Sequence, residues 1–134
     1  MVQFNGAYKL ERSDNMEEFL AKMNVGYLKR KLALSMKPTV EVKVEGNRWR
    51  LVTHTPASTL TWSFTLGQEV TLTSSQGGET KAIFTLEGEK LIQSNLKGAE
   101  ENVDIVRQFT GDEILMKLTH KPSGVQCTRV FKRK

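Results

Sequence analysis

Leu60-Thr61-Trp62-Ser63-Phe64-Thr65-Leu66 alternates apolar and polar side chains without a break. Successive side chains of an extended chain point to opposite faces, so Leu60, Trp62, Phe64 and Leu66 share a buried face and three hydroxyls face water. Half-buried strands of this kind belong to antiparallel sheets, because strands buried on both faces lose the alternation. The pattern recurs on either side. Val40, Val42 and Val44 alternate with charges, Trp49 and Leu51 alternate with Arg48 and Arg50, and Ala82, Phe84 and Leu86 form a further set. Turn residues punctuate these runs at Glu45-Gly46-Asn47, Gln76-Gly77-Gly78, Glu87-Gly88-Glu89, Thr110-Gly111-Asp112 and Lys121-Pro122-Ser123-Gly124, where Gly, Asn and Pro supply the φ values that tight turns need. The intervals predict ten strands, near residues 5–12, 39–45, 48–54, 59–66, 69–74, 79–86, 90–96, 102–109, 113–119 and 125–132.

One segment has the other period. Met16, Phe19, Leu20 and Met23 follow the i, i+3, i+4, i+7 spacing of an amphipathic helix, with Asp14 as cap and Glu17 in an acidic first turn. Asn24 to Gly26 reads as a turn. Tyr27 to about Met36 predicts a second helix, apolar at Leu28 and Leu32 and basic at Lys29 to Lys31, which stops before Pro38. Ten antiparallel strands joined by tight turns are best closed into an up-and-down barrel, since closure removes both exposed edges. The expected fold is therefore all-β: one domain over residues 1–134, with a helix-turn-helix lid over about 14–36. Ten strands enclose more space than the eight that side chains can just fill, so a cavity is expected inside.

Two charges fall on the face that should be dry. Every second residue reads Val103, Ile105, Arg107, Phe109 in one strand and Val125, Cys127, Arg129, Phe131 in the last. A buried guanidinium without a partner is costly, which points to an anion that the chain does not itself supply, such as the carboxylate of an apolar ligand. The bland alternative is a structural charge satisfied by Gln93, Asn95 and bound water. One strand separates the pair, placing their backbones about 10 Å apart if in register.

The remaining composition narrows the function. A single cysteine, Cys127, permits no intramolecular disulfide, and the first ten residues carry Gln3, Asn5 and Lys9 in place of an apolar signal stretch, so a cytoplasmic location is expected, with nuclear entry open. No apolar run reaches the roughly 20 residues of a membrane span. The net charge of +5 is densest at Lys29, Arg30 and Lys31 and at Lys132, Arg133 and Lys134. Nucleic-acid binding would call for a basic stripe with exposed aromatics, but here the aromatics lie on the apolar phase. Solvated surface charge and attraction to anionic membranes remain as readings. His54 and His120 have no metal-ligand spacing, there is no phosphate loop or nucleophile–base pair, and no cofactor is expected. Cys127 reads as a small buried hydrophobe.

Gly6-Ala7-Tyr8-Lys9-Leu10, Ser13-Asp14-Asn15, Val25-Gly26-Tyr27, Arg30-Lys31, Lys37-Pro38-Thr39, Ser63-Phe64-Thr65-Leu66-Gly67-Gln68-Glu69 and Cys127-Thr128-Arg129-Val130-Phe131 occur in an order and spacing that resemble the intracellular fatty-acid-binding protein family, in its invertebrate form. The resemblance implies a clam-shaped ten-stranded barrel that carries long-chain fatty acids to membranes or partner proteins as a monomer without enzymatic activity. It also implies a carboxylate site at Arg107 and Arg129, with Phe131 standing where a tyrosine is usual. The pocket and portal it implies comprise Met16, Phe19, Leu20, Val25, Ala33, Pro38, Thr53, Ala57 and Trp62, with membrane contact through Lys29, Arg30 and Lys31. Met16 and Ala57 replace aromatics usual at the entrance. Retinoic acid, another hydrophobic carboxylate, or a membrane-apposed structural role are the alternatives.

Overall fold

The computed structural model describes residues 3–74 and 77–134; Gln76 of the expected Gln76-Gly77-Gly78 turn lies outside them. Ten strands form one antiparallel sheet: β1 (Gly6–Asp14), β2 (Thr39–Glu45), β3 (Arg48–His54), β4 (Thr59–Thr65), β5 (Glu69–Thr73), β6 (Glu79–Glu87), β7 (Lys90–Gly98), β8 (Val103–Phe109), β9 (Glu113–His120) and β10 (Gln126–Arg133). Helices α1 (Met16–Lys22) and α2 (Tyr27–Ser35) lie between β1 and β2. The strand order β4-β3-β2-β1-β10-β9-β8-β7-β6-β5 folds the sheet round, with β1 joining the two halves.

Closure is incomplete, which corrects the expectation that both edges disappear. β4 and β5 end the order on opposite sides and share no ladder among the described residues. A side-chain bond spans the gap in its place: the Trp62 indole N–H donates to the Thr73 carbonyl at 2.9 Å, while the Gly67 amide of the connecting turn donates to the Phe84 carbonyl of β6 at 2.8 Å. Gly67, at φ 80°, occupies the left-handed region a tight turn demands.

The inward residues build two apolar layers. The lower holds Tyr8, Trp49, Phe64, Phe84, Phe109 and Phe131 with aliphatic neighbours, and Phe64 and Phe84 stack at 3.7 Å between centroids. The upper brings Phe19, Leu20 and Ala33 of the helices against Val103, Ile105 and Cys127 of the strands. The helices thus plug one mouth of the barrel.

Two details of the lid differ from the sequence reading. The cap of α1 is Asn15, not Asp14; Asn15 adopts φ 63°, which asparagine tolerates better than most residues, and its side-chain amide donates to the Gln126 carbonyl at 2.9 Å. Asp14 ends β1 and pairs with Arg12 at 3.4 Å. On α2 the buried residue is Ala33, while Leu28 and Leu32 are 81% and 61% exposed. A helix this short buries the one face that meets its neighbours, and the small Ala33 allows the closest approach. No helix among the described residues is long and apolar enough to cross a membrane.

Candidate ligand-binding site

Between the two apolar layers lies a cavity of about 590 Å³, within the ~300–1,000 Å³ range of small-molecule sites. Arg107, Arg129 and Phe131 line it, as do Met16, Phe19, Leu20, Ala33, Pro38, Thr53, Ala57 and Trp62. Val25 does not. It borders a separate groove of about 580 Å³ beside the α1–α2 turn, together with Lys29. Leu60, Met116, Leu118 and Cys127 complete much of the apolar wall.

The two arginines are held by neutral partners. Arg107 is 8% exposed, and its Nη1 donates to Gln93 Oε1 at 2.9 Å. Gln93 Nε2 donates to Asn95 Oδ1 at 2.9 Å, and Asn95 Nδ2 to the Val103 carbonyl at 2.9 Å. This relay satisfies both buried amides and ends on backbone, as buried polar groups require. Arg129 Nε donates to Ser13 Oγ at 3.1 Å. Among the described residues neither guanidinium has a carboxylate within ion-pair distance. Aromatic faces stand near both: the Arg107 guanidinium carbon lies 6.0 Å from the Trp62 ring centroid and that of Arg129 lies 5.5 Å from that of Phe131.

Burial disfavours both charges. It lowers the Arg107 pKa to about 10 against a raising influence of Glu100, and it lowers that of Arg129. Cys127 moves the other way. Burial pushes its thiol up to about 11, which leaves roughly a thousandth or less as thiolate at neutral pH and makes it a poor nucleophile.

Residues 5–134 match the lipocalin / cytosolic fatty-acid binding protein family. The chain belongs to this family. A fatty acid-binding protein of Tyrophagus putrescentiae is 36% identical over 133 residues, 99% of each chain. Among solved structures, the fatty acid-binding protein in brain tissue of Drosophila melanogaster superposes with a TM-score of 0.86 at 38% identity, covering 97% of this chain and 99% of that one. A Schistosoma mansoni fatty acid binding protein in complex with arachidonic acid gives a TM-score of 0.88 at 26% identity, covering 98% and 96%.

Within this fatty-acid-binding-protein fold the three basic residues of α2 are not equivalent. Arg30 Nη1 donates to the Val25 carbonyl at 2.7 Å, which ties down the turn between the helices. Lys31 pairs with Glu17 of α1 at 3.1 Å. Lys29 is exposed and forms neither a hydrogen bond nor an ion pair among the described residues. The histidines stand apart from the cavity arginines: His54 Nε2 meets Glu41 Oε1 at 2.7 Å and His120 Nδ1 meets Ser123 Oγ at 2.8 Å. No group of His, Cys, Asp or Glu among the described residues could hold a metal ion.

Ser13 is the site residue that sequence reading missed. Nothing in Leu10-Glu11-Arg12-Ser13 signals an inward serine, because strict alternation from Tyr8 and Leu10 puts Arg12 and Asp14 inside.

Proposed function

We propose that this protein binds a long-chain fatty acid, or a similar hydrophobic carboxylate, in the internal cavity, with the carboxylate held by Arg129 and Arg107. The observation that carries the reading is two cavity-facing guanidiniums that, among the described residues, are hydrogen-bonded to neutral groups. Among the described residues neither has an ion-pair partner, Glu100 acting on Arg107 only from beyond contact distance, in a space otherwise lined largely by apolar side chains. A carboxylate supplies the missing charge and accepts charge-assisted hydrogen bonds, while its chain fills the apolar remainder. The fatty acid-binding protein of Tyrophagus putrescentiae and the arachidonic acid complex from Schistosoma mansoni support the same ligand class. Function is then carriage, without chemical turnover, ending in transfer to membranes or partner proteins. The exposed lid cation Lys29, with Lys31, is the proposed point of approach to an anionic bilayer.

Native mass spectrometry of the purified protein with lipid extraction, followed by calorimetric titration of oleate, tests this. A bound fatty acid and tight oleate binding that is lost in the Arg107→Gln/Arg129→Gln variant are expected. Wild-type oleate affinity in that variant overturns the reading. Recovery of retinoic acid would move the ligand within the hydrophobic carboxylates.

A further inference from the structure

We infer that Ser13 sets the charge selectivity of the cavity, holding Arg129 in place through a neutral acceptor so that the guanidinium stays available to an external anion. The inference rests on the carboxylate reading above and extends it to a residue of the neighbouring strand β1.

The placement depends on an irregularity in β1. Leu10 stands opposite Phe131, but the next pair is Arg12 with Val130, so Glu11 is an extra residue in the ladder. Such a bulge shifts the side-chain phase of everything after it. Ser13 is thereby brought opposite Arg129, and Asp14 opposite Thr128. In the unbroken register Arg12 would face Arg129, like charge against like, on the interior side with Leu10. The bulge sends Arg12 and Asp14 out to solvent, where they pair with each other at 3.4 Å. It leaves the half-buried Ser13 hydroxyl 3.1 Å from Arg129 Nε.

The chemistry of that position decides what the cavity can take. A hydroxyl accepts from the guanidinium edge and fixes its plane without cancelling its charge. A carboxylate there would form an internal ion pair and compete with the ligand for the same cation. An alanine would leave the charge in place and the guanidinium untethered.

The experiment compares Ser13→Ala, Ser13→Thr and Ser13→Asp with wild type and Arg129→Gln, titrating each with oleate and with oleyl alcohol, a neutral ligand of the same chain length. Ser13→Asp is expected to lose oleate affinity by about ten-fold or more while its oleyl alcohol affinity stays within about two-fold. Ser13→Ala is expected to weaken oleate by roughly three- to five-fold, the loss of one modest hydrogen bond, and Ser13→Thr to restore it. Circular dichroism accompanies each titration. A folded Ser13→Asp variant that binds oleate like wild type overturns the inference. Should Ser13→Asp not fold, equal oleate affinities for Ser13→Ala and Ser13→Thr overturn it instead. Wild-type oleate affinity in Arg129→Gln removes the carboxylate reading and this inference with it, whereas a weakened Arg129→Gln beside indifferent Ser13 variants removes this inference alone.

Discussion

Arg107 and Arg129 stand opposite the same residue, Met116, one from each side of β9. The shared partner puts their backbones in one row across three strands, about 10 Å apart, and both side chains enter the same cavity. Two guanidiniums in this arrangement can bind one carboxylate together. Each single substitution to glutamine is expected to weaken oleate by about 1.5–3 kcal/mol, roughly ten- to a hundred-fold. The double substitution is expected to cost less than the sum, because the second loss falls on a carboxylate already half released. Isothermal titration of the four proteins checks this, and strictly additive losses would mean that the arginines act on different groups.

Affinity should also follow the Arg107 proton. Burial lowers this guanidinium from its ordinary value to about 10, and only the charged form attracts a carboxylate. Oleate affinity is therefore expected to be level between about pH 7 and 9, where the ligand is already ionised, and to fall as pH rises through about 10. The same shift means that the charged group costs the ligand-free fold stability at neutral pH, a cost relieved as pH rises above about 10. Arg107→Gln should lose most of the alkaline fall in a fluorescence titration. An unchanged fall in that variant would assign it to another group.

Phe131 lies between Leu10 and Ile114 in the ladder and is 3% exposed, with its ring 5.5 Å from the Arg129 guanidinium carbon. Phe131→Tyr places a hydroxyl on the same inward face as Arg129. A gain of roughly three- to ten-fold in oleate affinity is expected from the added donor. Calorimetry showing no gain would place the headgroup elsewhere in the cavity.

The strands and the arginine phase were legible because both rest on a period of two that each strand states locally. Leu60 to Leu66 needs no partner to declare its buried face, and Arg107 and Arg129 inherit theirs from Val103, Ile105, Cys127 and Phe131. What was not legible depends on distant pairing. Ser13 and Arg129 are 116 positions apart, and the bulge that unites them carries no glycine or proline to mark it. The missing β4–β5 ladder follows a Leu66-Gly67-Gln68 connection that reads as an ordinary hairpin turn. Leu28 and Leu32 look like a buried stripe, yet the face α2 buries is decided by what lies beneath it, and Ala33 is the residue that fits.

Trp62 is placed to hold that unpaired seam. Its indole N–H reaches the Thr73 carbonyl at 2.9 Å from a strand that, among the described residues, shares no ladder with β5. Trp62→Phe keeps a ring beside Arg107 and removes the bond. Stability is expected to drop by about 0.5–1 kcal/mol, and amide exchange in β5 to quicken while that in β8 to β10 does not. Uniform exchange across the sheet would show that the bond contributes nothing local.

The lid predicts which cations matter for transfer. Arg30 is committed to the Val25 carbonyl and Lys31 shares its charge with Glu17, whereas Lys29 is exposed and has no hydrogen bond or ion pair among the described residues; Leu28 and Leu32 of the same helix are both largely exposed. A lysine close to an anionic bilayer contributes about 1 kcal/mol, an attraction that fades over a Debye length of about 10 Å at 0.1 M salt. Lys29→Gln with Lys31→Gln is therefore expected to slow delivery of a fluorescent fatty acid to phosphatidylserine vesicles by roughly ten-fold at low salt, with little effect on neutral vesicles. Arg30→Gln should behave differently, lowering the melting temperature because it frees the turn between the helices. The wild-type rate should rise with vesicle concentration and fall with added salt, since approach to the surface precedes release. A rate indifferent to vesicle concentration and to both lysines would mean that the ligand leaves through water, and the basic face of α2 would then be ordinary solvated surface.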